Sequence, residues 1–148
     1  LCKHEGPDAW MQFCVCVVSD GLKQANKETL IWAEQQGIYS AQMLQEHSAG
    51  LNDVRMQLFE VSIKMFENNN PELQIMFAVK EHNGGKLDSH LWFFNAFADQ
   101  LDPKYCMLLD VGTKPENDSL YKLYHCMEIN SNVAVSVLML CHESIHIL

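Results

Sequence analysis

Phe13-Cys14-Val15-Cys16-Val17-Val18-Ser19-Asp20-Gly21 is the stretch on which the reading of this chain turns. Six apolar residues in a row, half of them valine, end abruptly in a polar turn. A run of that length and branching suits a strand buried on both faces, and Ser-Asp-Gly supplies the turn that stops it. Beyond Gly21 the period changes. Asn26 precedes a helix expected from Lys27 to about Gln36, with Leu30, Ile31 and Ala33 on its apolar side and Gly37 as its stop. The strand pattern then recurs. Val54, Met56 and Leu58 alternate with Arg55 and Gln57 as a half-buried strand, and Asn68-Asn69-Asn70-Pro71 introduces a second apolar strand, Leu73 to Val79. After the polar loop Lys80 to Lys86, Asp88 or Ser89 is placed to cap an aromatic helix through Trp92, Phe94 and Phe97, halted by Pro103. Tyr105 to Leu109 reads as a third buried strand ending in Asp110-Val111-Gly112-Thr113. Asp118 or Ser119 opens a last helix with Leu120, Leu123, Tyr124 and Met127 at helical spacing, and Val133 to Leu140 closes as a strand. Strands alternating with helices predict an α/β fold with a mainly parallel sheet and flanking helices.

Composition sets the outer limits. The 148 residues amount to about one domain, and 48% hydrophobic with 20% charged residues is ordinary for a globular chain. Ten basic against nineteen acidic residues leave a formal charge of −9, which argues against a phosphate-backbone binder and so against nucleic acid as a partner. The longest apolar stretch, Val133 to Cys141, is about half of the ~20 residues a spanning helix needs. Leu1 is not methionine and no signal-peptide core follows it, so the chain is expected to be a piece of something longer. None of the six cysteines forms a C-x-x-C pair, and all are expected to be reduced, buried small hydrophobes.

Two expected strands end in an acid followed closely by glycine, Asp20-Gly21 and Asp110-Val111-Gly112. Ligands of open α/β sheets bind beyond the carboxyl ends of strands, where a carboxylate can accept from a base or ribose or hold a divalent cation. The bland alternative is a turn aspartate capping the next element. The loop Lys80 to Lys86, with two lysines and two glycines, can cradle phosphate through backbone N–H groups and charge, although it is no Walker sequence. A solvated loop is its alternative, and the aromatic helix behind it is read as core. His142-Glu143-Ser144-Ile145-His146 fits H-E-x-x-H, but a zinc hydrolase needs a third ligand and only Ile147 and Leu148 come after it.

Three blocks carry a family resemblance. Lys80-Glu81-x-Asn83-x-x-Lys86-x-x-Ser89-His90-x-Trp92-Phe93-Phe94 closely resembles the chitin synthase pattern K-E-x-N-x-x-K-x-x-S-H-x-W-F-F. Cys106-Met107-Leu108-Leu109-Asp110-Val111-Gly112-Thr113-Lys114-Pro115 looks like that family's C-x-L-L-D-V-G-T-R-P. Val17-Val18-Ser19-Asp20-Gly21 with Lys23, Asn26 and Thr29 is similar to its I-V-S-D-G-R-x-x-I-N-x-x-T segment. The resemblance runs from about Trp10 to Val133. It implies a partial GT-A, Rossmann-like donor-binding domain over residues 1–134, followed by a divergent tail at 135–148.

It also implies a membrane-embedded enzyme of glycosyltransferase family 2. Such an enzyme transfers N-acetylglucosamine from UDP-N-acetylglucosamine to a growing β-1,4 chitin chain for cell-wall synthesis, with this domain in the cytosol and a homodimer among its possible assemblies. In that picture Asp20 lies in the uridine pocket, Lys80, Asn83 and Lys86 face the nucleotide, and Asp110 holds Mg²⁺ or Mn²⁺ on the diphosphate. Asp20, Lys80 and Asp110 should then share one edge of the sheet. The family's arginines after S-D-G and before W-F-F are Leu22 and Leu91 here. No E-D or Q-R-R-R-W motif is present, so the catalytic base falls outside the chain. The alternative is a non-catalytic nucleotide-sugar-binding or interaction fragment.

Overall fold

The computed structural model describes residues 2–21, 23, 25–48, 56–64, 72–110 and 112–130. The chain forms two compact units, Leu1–Leu101 and Asp102–Leu148. In the first, α1 (Cys2–Glu5) and a 3₁₀ turn (Ala9–Gln12) lead into β1 (Cys14–Ser19). Then come α2 (Lys27–Gln35), α3 (Ala41–Ser48), β2 (Met56–Lys64) and β3 (Glu72–Lys80). The unit ends in a helical stretch made of α4 (Gly85–Trp92), a π-helical segment (Phe93–Ala98) and α5 (Asp99–Leu101). The second unit contains α6 (Ser119–Ile129).

The sheet has the order β1-β3-β2. β1 runs parallel to β3, Cys14 opposite Gln74 through Ser19 opposite Val79, and β2 runs antiparallel to it, Met56 opposite Lys80. The fold is therefore α/β as expected, but the sheet is mixed rather than mainly parallel among the described residues. Apolar periodicity reports burial and is silent on strand direction, which is why the sequence did not distinguish the two.

β3 is the strand that behaves as a continuous apolar run should. From Ile75 to Lys80 every residue is buried, because β3 is central and both of its faces are covered. One face carries Ile75, Phe77 and Val79 against Ala33, Ile38 and Tyr39 from α2 and the turn that follows it. Tyr39 meets Phe59 and Phe77 edge to face at 5.6 and 5.8 Å. The other face sets Met76 and Ala78 against Phe97, Phe93 and Ala96 of the π-helical segment, so that segment is core, with Phe94 exposed. α2 begins where Asn26 predicts: its Oδ1 accepts from the backbone N–H groups of Glu28 and Thr29.

Several expectations need correction. β1 lies at the edge of the described sheet and is buried on neither face throughout: Val17 and Cys14 are exposed. Val54 and Arg55 lie outside the described residues; β2 is described from Met56, which packs on the second core cluster, and from Gln57 on it runs with the opposite phase. Gln57, Phe59, Val61 and Ile63 turn inward while Leu58 is exposed, and Gln57 Nε2 donates to the Leu44 carbonyl at 3.1 Å. The aromatic helix starts at Gly85, so Asp88 and Ser89 lie within its first turns rather than capping it; Asn83 Oδ1 accepts from Gly85 N–H instead. Tyr105 to Leu109 is not a strand, and Met107, Leu108 and Leu109 are exposed. A strand needs a neighbouring backbone to bond, and among the described residues none pairs with this run.

Asp118 does stand at the N-cap of α6, but with left-handed backbone (φ 62°) and no side-chain bond to the helix's N–H groups. Cys14, Cys16, Cys106 and Cys126 are free thiols as expected, though Cys14 and Cys106 are exposed. The turn Asn68 to Pro71, the expected strand Val133 to Leu140 and the motif His142 to His146 lie outside the described residues.

Candidate functional site

β1 and β3 are parallel and end level, Ser19 opposite Val79, so Asp20 and Lys80 emerge side by side at the same carboxyl edge. Lys80 is the last residue of β3 and is 2% exposed. A buried ammonium demands partners, since removing a charge from water costs several kcal/mol unless it is paired. It has two. Lys80 Nζ lies 2.5 Å from Asp20 Oδ1 and 2.7 Å from Asp88 Oδ2, the second carboxylate coming from the first turn of α4. Burial alone would depress the lysine's pKa. The hydrogen bonds and charges of the two aspartates outweigh it and hold the pKa above the ordinary lysine value.

Asp20 is the open side of this arrangement, its side chain 31% exposed. Ser89 Oγ donates to Asp20 Oδ1 at 3.2 Å, so lysine and serine both engage the same oxygen. Oδ2 is left without a hydrogen-bond partner among the described residues. Gly21 comes next in a left-handed conformation, φ 101°, which glycine adopts without steric cost, and it is buried. The backbone thus turns away immediately beyond the carboxylate. Ser19 Oγ donates to the Gly21 carbonyl at 3.3 Å and closes the turn.

The remaining predicted residues divide. Asn83 is spent locally, as the acceptor for Gly85 N–H at 2.8 Å. Lys86 is exposed in the first turn of α4. Asp110 belongs to the second unit and follows no strand; it is exposed, and its carbonyl accepts from Thr113 N–H at 3.0 Å in a turn completed by Gly112 at φ 90°. Among the described residues no three His, Cys, Asp or Glu side chains gather as a metal-binding group. One exposed carboxylate still fits Mg²⁺ or Mn²⁺ of the kind that takes most of its oxygens from phosphate and water. Sequence reading missed Asp88 as a member of the Lys80 cluster. The available signal was the Gly84-Gly85 pair, which lets the chain turn tightly enough to bring the first turn of α4 back over the end of β3.

No helix among the described residues is long and apolar enough to cross a membrane. A family model described as a chitin synthase-like glycosyltransferase domain matches residues 2–143. The chain is 36% identical over 138 residues to chitin synthase 2 of Cryptococcus neoformans, covering 88% of this chain and 14% of that protein. It is 39% identical over 130 residues to chitin synthase 1 of Phytophthora sojae, covering 86% and 14%. Against chitin synthase 2 of Rhizopus oligosporus identity is 36% over 140 residues, covering 87% and 16%. The chain therefore spans about one seventh of the length of these relatives.

Proposed function

The chain belongs to the chitin synthase-like glycosyltransferases, and from that premise we propose that it supplies part of the donor site of a chitin synthase. The enzyme containing it transfers N-acetylglucosamine from UDP-N-acetylglucosamine to a β-1,4-linked chitin chain. The whole domain takes the GT-A form, lies in the cytosol and belongs to a membrane-embedded protein. The observation that carries this reading is the pairing of Asp20 with Lys80 at the level carboxyl ends of two parallel strands. That edge is where α/β sheets bind nucleotides.

Asp20 Oδ2 is the acceptor for an N–H of the uracil ring or a ribose hydroxyl. Lys80 acts from behind: it holds the Asp20 carboxylate in place, and Ser89 donates to the same oxygen, so both fix Oδ1 and leave Oδ2 for the ligand. Asn83 holds the turn over which the diphosphate lies, and Lys86 offers it positive charge from the first turn of α4. Asp110 is the carboxylate for Mg²⁺ or Mn²⁺. When bound, that cation offsets the charge that accumulates on the departing UDP. No residue of this chain is assigned as the base that deprotonates the acceptor hydroxyl.

Titration calorimetry of the chain with UDP tests the reading. Binding should be measurable. Asp20→Asn, which keeps volume but loses the charged acceptor, should weaken it roughly tenfold or more. Equal affinity in the two proteins would remove Asp20 from the site.

A further inference from the structure

We propose that Asp88 is a positioning residue that sets the charge of the Asp20–Lys80 cluster, making that part of the donor site fit the neutral nucleoside and leaving the diphosphate to the turn at Asn83 and to Lys86. This rests on the reading of Asp20 as a nucleotide-facing carboxylate and extends it to a residue the sequence motif leaves unspecified.

Charge comes first. Asp20 and Asp88 carry two negative charges and Lys80 one positive, so the cluster as a whole is negative by one. Without Asp88, a single ammonium would face a single carboxylate and the cluster would be neutral. The Lys80 ammonium is also the only group of the three that can attract phosphate, and Asp88 holds it from the α4 side at 2.7 Å. A site built this way offers Asp20 Oδ2 to a hydrogen-bond donor and no surplus positive charge to a diphosphate. Base or ribose is what it fits; phosphate must be met elsewhere.

Backbone geometry gives an independent sign that this placement of Asp88 is structural provision rather than accident. A Cβ built on Gly84 would stand 2.5 Å from both Cγ and Oδ2 of Asp88 and 2.7 Å from its Cβ. Residue 84 has φ −92°, a value any residue adopts, so its conformation does not call for glycine. Space does. Glycine at 84 is what lets the Asp88 carboxylate lie over the end of β3 and reach Lys80. The two positions therefore act as one device: remove the carboxylate charge at 88, or fill the space at 84, and the hold on the ammonium from α4 is lost.

The contribution is read as a ratio of affinities, which a merely structural role would not move. The 148-residue chain and its variants are titrated with uridine and, separately, with UDP, in EDTA and at low salt. Relative to the unaltered chain, Asp88→Asn should favour UDP over uridine by about three- to tenfold, from one unit of charge removed at partly screened distance. Gly84→Ala should shift the ratio in the same direction, and Asp88→Glu should return it at least halfway to the starting value. The shift should shrink in ~1 M salt, where screening reaches within ~3 Å. Circular dichroism confirms that each variant is folded. Uridine and UDP weakening in parallel, or neither changing, would overturn the role of Asp88 and leave the nucleotide site standing. Failure of the unaltered chain to bind either ligand would overturn the site itself, and this proposal with it.

Discussion

The end of β3 and the run before Asp110 have similar sequences and opposite fates. Ile75 to Val79 and Cys106 to Leu109 are both short apolar runs that end in a charged residue and a polar turn. In the first unit, β3 has a neighbour on each side and helices on both faces, and its terminal Lys80 is fixed by two carboxylates. In the second unit, Met107 to Leu109 lie exposed and the terminal Asp110 stands on a turn. Hydrophobicity qualifies a segment for burial, but a strand is made by the backbones that flank it. A charged group at the end of such a run becomes a built site only when its element is fixed.

Truncation of an apolar side chain in each run should expose this contrast most strongly. Phe77 is 6% exposed and packs edge to face on Tyr39 at 5.8 Å, so Phe77→Ala loses both burial and a ring contact. The expected loss is about 3–5 kcal/mol by urea unfolding. Leu108 is 50% exposed, and Leu108→Ala should stay within about 0.5 kcal/mol. A comparable loss at Leu108 would mean that the second run is as well packed as the first.

Legibility in the sequence follows the same division. β1, β3 and the Asn26 cap could be read because each is decided within a few residues by apolar run, turn chemistry and side-chain reach. The meeting of Asp20 and Lys80 could be anticipated too, since parallel strands that end level place their next residues side by side. Three things could not. The antiparallel direction of β2, the inward phase of Gln57 and the lack of a strand partner for Tyr105 to Leu109 among the described residues all depend on which backbone lies alongside, and no local pattern records that. Asp88 failed for a different reason. Its identity suits a helix cap, and only the earlier helix start at Gly85 turns it into a partner for Lys80.

Lysine substitution gives the next largest contrast. Lys80→Met leaves Asp20 and Asp88 facing each other without a cation, and the loss should be about 2–4 kcal/mol, below the top of the buried-pair range because both carboxylates reach water. Lys104 also binds a carboxylate, Glu128 at 2.7 Å, but on the surface, and Lys104→Met should leave the unfolding midpoint unchanged within error. The pH dependence has a defined sign. Because the Lys80 pKa is raised in the folded protein, its stabilisation is complete below the unfolded lysine value of ~10.4 and is lost as pH rises through the higher folded value. Tyr39 and Cys16 have pKa values raised by burial, Cys16 to about 11, and destabilise in the same alkaline direction. They are common to both proteins, so the difference between the unaltered chain and Lys80→Met isolates Lys80. That difference should narrow above about pH 10.4; a gap that stays constant would remove the ion pairs as its source.

The two helix caps give the smallest and most discriminating test, because serine separates the two uses of a polar residue at an N-cap. Asn26 has extended backbone, φ −63° and ψ 129°, and its side chain accepts from two N–H groups of α2. Serine can do the same from that conformation, so Asn26→Ser should be within a few tenths of a kcal/mol of the unaltered chain, whereas Asn26→Ala should cost about 1 kcal/mol. Asp118 stands at the corresponding place in α6 with φ 62° and no cap bond from its side chain. What residue 118 must supply is tolerance of the left-handed region, which aspartate, asparagine and glycine have and serine lacks. Asp118→Ser should therefore cost about 1 kcal/mol, and Asp118→Asn much less. Differential scanning calorimetry of the four variants measures this. If serine were tolerated equally at 26 and 118, cap chemistry rather than backbone conformation would govern both helix starts, and the contrast between the two units would not extend to their helices.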